Sequence, residues 1–570
     1  MKLSIVIAIV LLLLCSPITH AQEKASNAKD ARREKAVELL KSLATQVGSL
    51  QSPENRARIG ANIAESLWKH DENRARALFI SIEDDIQSGL QNREIGDATD
   101  RLTIAVFLKL RADTVQRIAK YDPELAFNFL NATEPEPRVR DLTGMYTEAR
   151  DVETQLAKKI VANNSDIALK LGRKALARGF SRELLSLLRQ LHRKHRDKGV
   201  TLYKETVEKL HDADLANDDQ ALWFACQLAN SLTPPTADES AFRELIKNLL
   251  ANALAIGCDK QARGEQTPFC DMLTSLAATM EKVDPVRARK LKHLTPDYDE
   301  HYETVERPYV ELQEIAEEGT VEEILQFAEK YPRIGLSAYV RAMTKAYESG
   351  DIERARKIAN SYPGDSNERA NLVAQLERAI VVPEITEQEV ARDLQAFEGI
   401  RVAKNRAFAL NELAGHVGQT NKKMALKVLD QAVGISENIK APFDRMEALS
   451  RLAMSYCSAG SDRGLDIVES QISKLNELID AAVKLDGFDT RYMRDGEWNM
   501  SANGRVGSFL TAWADAAGDF AWCDFDRAVS LAGQFERMEI RMMAQTKLAQ
   551  SILAGPPRRN FYQYRRSIEY

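Results

Sequence analysis

The sequence predicts an all-α protein built of irregular helix-turn-helix repeats. Three observations predict it. Apolar residues recur at steps of three and four along most of the chain. Phe242, Leu245, Ile246, Leu249, Leu250 and Ala253, for example, share one helical stripe. Gly (27) and Pro (17) are scarce among 570 residues, while Leu, Ala, Glu, Lys and Arg, all good helix formers, dominate. The third observation is a recurring pattern, Asp/Asn-x-x-x-Ala-x-x-apolar. It is carried by Asp71/Ala75/Leu78, Asp122/Ala126/Phe129, Asn164/Ala168/Leu171, Asp284/Ala288/Leu291, Asp351/Ala355/Ile358, Asn421/Ala425/Val428 and Asp524/Ala528/Leu531. No run of alternating apolar and polar residues bounded by hairpin turns competes with this reading.

The pattern has a physical meaning. Asp or Asn accepts hydrogen bonds from the free N–H groups of a helix's first turn, and losing such a cap costs about 1 kcal/mol. Ala four residues on lets the neighbouring helix approach closely. A bulky residue there would overpack the joint by about 1–3 kcal/mol. Asp71, Asp284 and Asp351 share more, each followed by x-x-Arg-Ala-Arg. The segments before the acid are helical as well: Ile63-Ala64-x-x-Leu67-Trp68 before Asp71, and Tyr339 to Tyr347 before Asp351. Helix, very short turn, helix is therefore the unit.

Taken in order, the chain begins with a targeting segment. Lys2 gives a positive end, Leu3 to Leu14 is apolar apart from Ser4, and Pro17 breaks the run. Thr19-His20-Ala21 places small residues where a signal peptidase reads. Residues 1–21 are expected to be a secretory signal, too short for a comfortable membrane span. Cys15 would suggest a lipid anchor, but Leu14 is bulky where that signal needs a small residue. No later stretch is apolar enough to span a bilayer, so a soluble protein in the periplasm or outside the cell is expected. Residues 22–34 are polar and form a loose leader. Helical repeats then fill 35–292 and 310–555. Between them, 293–309 shows the strongest shift of composition and is taken as the linker. Pro-containing breaks fall at 131–141 and 231–238, and 485–504 is a long polar insertion. Gly555-Pro556-Pro557 ends the last helix, and a basic aromatic tail occupies 556–570.

At one joint the chain resembles tetratricopeptide repeats. Ala346-Tyr347-Glu348-Ser349-Gly350-Asp351-Ile352-Glu353-Arg354-Ala355 has Gly, Asp and Ala spaced as in the turn between the two helices of such a unit. The clear match covers one unit, near 339–360, and the regular period of about 34 residues is missing. The resemblance implies an α-solenoid, a superhelix of stacked hairpins, and by association a protein-binding role. It transfers no binding residues.

Composition narrows the function classes. Net charge is −6 and the isoelectric point is near 5.9, so no overall field attracts nucleic acid. Beyond the signal, five cysteines remain: Cys226, Cys258, Cys270, Cys457 and Cys523. An odd number excludes complete pairing. Cys258 and Cys270 flank a polar stretch and are either one disulfide or two free thiols. A bond closing that loop would contribute about 3 kcal/mol. Cys226 and Cys457 lie in apolar helical runs and read as small buried hydrophobes.

Other candidates are weaker. His192 and His195 share a helix face at a metal-ligand spacing, but they close a basic helix end and lack a third ligand. Asp486, Asp489, Asp495, Glu497 and Asn499 do not match a calcium loop. Tyr492 and Trp498 on the same insertion are candidates for recognition. Glu348-Ser349 resembles the catalytic pair of lytic transglycosylases, yet Asp351-Ile352-Glu353-Arg354 stands where their glycine-rich motif belongs. No catalytic, metal or cofactor residue is assigned. Arg558, Arg559, Tyr562, Tyr564, Arg565 and Arg566 make the tail a candidate for partner binding through cation–π and stacking contacts.

The expectation is an exported scaffold binding a protein or peptide. The alternatives are an α/α-toroid enzyme acting on polysaccharide or peptidoglycan, and a structural spacer.

Overall fold

The computed structural model describes residues 30–91, 98–136, 139, 151–234, 237–258, 268–273, 276–294, 307–380, 385–488, 491–501 and 504–555. The signal segment 1–21, leader residues 22–29, Asp489, most of the linker (295–306) and the tail 556–570 lie outside them.

The chain is all-α and built of irregular helix-turn-helix repeats. Every acid or amide of the recurring pattern caps a helix. Asp71 accepts from the N–H of Arg74, Asn164 from Ile167, Asp284 from Arg287, Asp351 from Arg354, Asn421 from Met424 and Asp524 from Arg527. Asp122 accepts from both Glu124 and Leu125. The residue has a second task. At six of the seven joints its own N–H donates back to the preceding helix, as from Asp71 to Leu67 O (2.7 Å) and from Asn421 to Val417 O (2.7 Å). One residue thus ties the end of one helix to the start of the next, which keeps the turn short. The paired Ala is wholly buried at 75, 126, 168, 355 and 425. Ala288 is half-buried, in a four-residue helix that passes into a 3-10 turn.

Two compact units emerge among the described residues: unit 1 takes those of 30–91 and 385–555, and unit 2 those of 98–380. Unit 1 starts with α1 (30–46), α2 (Pro53–Leu67) and α3 (Glu72–Gln91).

Unit 2 runs through α4 (Ala98–Ile118), α5 (Pro123–Ala132), α6 (Val152–Ile160), α7 (Ser165–Arg178), α8 (Arg182–Lys194) and α9 (Arg196–His211). It continues with α10 (Asp219–Ser231), α11 (Glu239–Ile256), α12 (Pro268–Leu273), α13 (Ala277–Val283) and α14 (Pro285–Ala288). It ends with α15 (Arg307–Glu318), α16 (Val321–Lys330), α17 (Gly335–Glu348), α18 (Ile352–Ser361) and α19 (Ser366–Ile380). Each hairpin packs on the next: α6 on α8, α8 on α10, α7 on α9 and α9 on α11. That nearest-neighbour order is what a solenoid requires. Gly350, in the α17–α18 turn, takes a left-handed φ of 86° that favours glycine.

The chain then returns to unit 1 with α20 (Glu387–Glu398), α21 (Ala403–Val417), α22 (Lys422–Ser436), α23 (Pro442–Ser458) and α24 (Arg463–Lys484). A small hairpin follows, β1 (Met493–Arg494) and β2 (Glu497–Trp498), then α25 (Arg505–Phe520), α26 (Phe525–Ala532) and α27 (Met538–Ala554). The hairpin turns on Asp495 and Gly496, both at positive φ, as a two-residue turn of this hand demands.

Most of the expected linker at 293–309, namely 295–306, lies outside the described residues; the compact units divide between residues 91 and 98 and between 380 and 385, and unit 1 takes residues from both flanks of unit 2. Two expectations are corrected. The leader is shorter than 22–34, because α1 begins at residue 30. Cys457 is no lone hydrophobe: it is bonded to Cys523.

Candidate interaction surface

In unit 1 the first helices of successive hairpins form one continuous row. α21 packs on α23, α23 on α25, α25 on α27, and α27 on α2. The second helices α22, α24 and α26 touch one another more sparsely. Closer packing of the first helices makes theirs the inner row, the side toward which such an array curves. Burial agrees. Along α2 and α27 Ala554 alone is exposed, and past its first residue α23 exposes only Arg451 and Ser458, seven apart on one stripe.

Helical spacing decides what that stripe carries. Lys404 and Phe408 stand four apart on α21. Asp444, Glu447 and Arg451 follow at i, i+3 and i+7 on α23. Arg505 and Phe509 stand four apart on α25. Across the helices they form a ladder of alternating charge. Lys404 Nζ donates to Asp444 Oδ1 (3.1 Å) and Glu447 Oε2 (2.8 Å). Arg451 Nη2 donates to Glu447 Oε1 (3.2 Å), and Arg505 Nη2 lies 3.6 Å from Asp444 Oδ1. The hydrogen bond to Glu447 is the main reason the Lys404 ammonium is held above its ordinary range.

Two rings lie under the cations. Arg451 sits 4.6 Å and Lys404 5.6 Å from the Phe408 centroid, and Arg505 5.3 Å from that of Phe443. Phe443 is braced edge-on by Phe509, 5.2 Å away. The inner carboxylates and Lys404 are about three-quarters buried, but the ladder's two ends are open: the Arg451 side chain is 53% and Arg505 76% exposed. Exposed pairs of this kind add only about 0–1 kcal/mol each to stability. Their effect is to hold charged heads in fixed places over apolar rings. Further along α25, exposed Ala512 and half-buried Ala516 leave the stripe shallow, and half-buried Asp519 follows. Burial raises the Asp519 carboxyl above the usual aspartate value.

Unit 2 contains a recess of about 560 Å³ lined by Arg178, Phe180, Lys209, Asp212, Asp218 and Gln220, among others. Much of its polar chemistry is already committed. Lys209 Nζ donates to Ala177 O (3.0 Å) and Leu176 O, closing the end of α7. Arg178 pairs with Glu153, Asp218 caps α10, and Gln220 donates to Phe180 O. Burial also lowers the Lys209 pKa.

The residues singled out from sequence do not converge on one place. Cys258 and Cys270 are joined as a disulfide at the end of α11 and in α12, with Cα atoms 5.7 Å apart. Cys226 is free and buried, and burial pushes its thiol up to about 12. Arg558, Arg559, Tyr562, Tyr564, Arg565 and Arg566 lie outside the described residues. His192 turns inward: its Nδ1 is 2.9 Å from Leu188 O, its ring meets Tyr203 edge-on, and burial lowers its pKa. His195 ends α8 as its C-cap. Among the described residues no group of three His, Cys, Asp or Glu side chains could hold a metal ion.

Glu348-Ser349-Gly350 closes a turn, with Ser349 Oγ donating to Ala346 O (2.7 Å). On the insertion, Glu497 and Asn499 are buried and Trp498 is 2% exposed, with Tyr492 stacked on it at 5.2 Å. The ladder itself was missed. Each half has helical spacing in the sequence, but pairing Lys404 with Glu447 requires the packing register of two hairpins.

No protein-family model matches the chain. No curated protein matches it either. Among solved structures it is similar to one described as "Circular tandem repeat protein with novel repeat topology and enhanced subunit contact surfaces". That match has 13% identity and a TM-score of 0.20, over 89% of this chain and 99% of that chain. The fold assignment rests on the helices and joints of this chain itself.

Proposed function

We propose that this chain is an exported, tetratricopeptide-like scaffold that holds a protein or peptide partner in the cell envelope or outside the cell, on the first-helix face of unit 1. The observation that carries the reading is the five-charge ladder over Phe408 and Phe443. Three successive hairpins contribute to it, and each presents a cation in a fixed position on an otherwise narrow surface. Aromatic and arginine groups of this kind supply much of the binding energy in protein interfaces. Export is supported by the character of residues 1–21 and by two disulfides, Cys258–Cys270 and Cys457–Cys523, which persist in oxidising compartments. Among the described residues no helix is long and apolar enough to cross a membrane.

The test is site-specific photo-crosslinking in intact cells. A photoreactive residue at Ser508, exposed on α25 beside the ladder, should capture a discrete partner. One at Lys427, exposed on the second helix α22, should not. Equal capture from both positions, or none from Ser508, would refute the assignment of this face.

A further inference from the structure

α2 opens on Pro53, and its N-cap residue Ser52 makes no capping bond with its own side chain. The cap is supplied from far along the chain, within unit 1. The Glu497 carboxylate accepts from the N–H groups of Gln51 (2.7 Å) and Ser52 (3.2 Å) and from Asn55 Nδ2 (3.0 Å). Its neighbours extend the grip. Asn55 Nδ2 also donates to Trp498 O (3.0 Å), Arg494 pairs with Glu54, and Ser501 Oγ donates to Glu54 Oε1 (2.6 Å). On its other side the same hairpin holds α27, where the Trp498 N–H donates to Glu539 Oε1 (2.7 Å). Residues 491–501 are thus a strap with one edge on α2 and the other on α27.

This seam is unlike the apolar packing of the hairpins. Glu54, Asn55, Glu497 and Glu539 are all buried, so it is built of polar groups withdrawn from water. It is also incompletely satisfied: Asn55 Oδ1, Arg58 Nε and Arg537 Nε are buried without a hydrogen-bond partner. Buried polar atoms without partners keep the full cost of desolvation, and a partly satisfied network is the first place packing gives way. Opening unit 1 between α2 and α27 breaks this polar seam, together with the bonds from Gln550 Nε2 on α27 to Asn62 O (3.1 Å) and Ser66 Oγ (3.0 Å) on α2, and leaves the apolar joints within the hairpins intact.

We propose that the strap is a latch. Residues 30–91 form a closing module that releases locally from α27 when Glu497 lets go of α2, while the remaining hairpins of unit 1 stay folded. When latched, the first-helix row ends at α2. When released, it ends at α27, with the side that α2 covered now open. The length of the row is then set by a reversible local opening.

The test is hydrogen–deuterium exchange read by mass spectrometry on the full chain. Glu497→Ala should speed exchange at least tenfold in 53–67 and 538–554. Glu497→Gln, which keeps an acceptor but loses the charge, should speed it less. Peptides from 403–484 and from unit 2 should exchange as in the parent. Should the alanine variant fail to fold, the glutamine variant carries the test with the same pattern. Rates within twofold of the parent in α2, or acceleration spread evenly over 387–554, would overturn the proposal.

Discussion

The Cys457–Cys523 bond should be the strongest single staple in unit 1. It joins the end of α23 to the turn between α25 and α26, across a sequence separation of 66. In the chain-entropy treatment, ΔS is about −2.1 − 1.5R ln n cal/mol/K, so a loop of this size gives about −14.6 cal/mol/K, or about 4.4 kcal/mol at 25 °C. Cys258–Cys270, with a separation of 12, gives about 2.8 kcal/mol in the same treatment. Replacing both Cys457 and Cys523 by Ala should therefore destabilise unit 1 by about 4 kcal/mol, whereas Cys258→Ala/Cys270→Ala should weaken unit 2 by about 3 kcal/mol. Urea unfolding followed by tryptophan fluorescence separates the two. Trp68, Trp498, Trp513 and Trp522 lie in unit 1, and Trp223 lies in unit 2. With m of about 3 kcal/mol/M, the first loss lowers the urea midpoint of the main fluorescence transition by about 1.5 M. Reduction of the parent protein should reproduce that shift, and reduction of the variant should add nothing to the same transition. A shift under about 0.3 M would refute the reasoning, because the bond would then constrain nothing that unfolding releases.

Ala355 is wholly buried at the α17–α18 joint, so Ala355→Leu should cost about 1–3 kcal/mol and lower the melting temperature, while Lys357→Leu on the exposed side should not. An unchanged melting temperature for Ala355→Leu would count against close helix approach at these joints. Asp519 has its carboxyl pKa raised by burial, so the folded state binds a proton more readily than the unfolded one. Stability from this group falls as pH rises from the unfolded aspartate value through the raised one, and stays lower above it. Asp519→Asn should accordingly stabilise the protein at pH 7–8, with the gain vanishing at pH 3. Urea midpoints at the two pH values check this, and an equal gain at both would contradict it.

What the sequence shows well is local. Each cap and its small residue lie four apart, so Asp71/Ala75 or Asn421/Ala425 carries its meaning within one turn of helix, and the joints are legible without any neighbour. The Glu348-Ser349-Gly350 turn was legible for the same reason. What stayed hidden depends on long-range register. Glu497 caps an α2 whose own Ser52 is 445 residues away, and nothing near Ser52 announces it. Cys457 sits in an apolar helical run that suits a small hydrophobe equally well, and its partner lies in the turn of the next helical hairpin, a sequence separation of 66 away. The composition shift at 293–309 is real, but composition reports what a segment is made of. Unit boundaries depend on which helices pack together, and the α1–α3 segment packs with the far end of the chain. The ladder is hidden likewise: Lys404, Glu447 and Arg505 are ordinary surface charges until three hairpins are stacked.

If the first helices of unit 1 are the face that holds a partner, the partner shields them and leaves the second helices open. Hydrogen–deuterium exchange of the full chain, with and without the partner captured from Ser508, measures that shielding. Exchange should slow in 403–417, 442–458 and 505–520, with 422–436 and 463–484 unchanged. Protection confined to the second helices, or to unit 2, would contradict it.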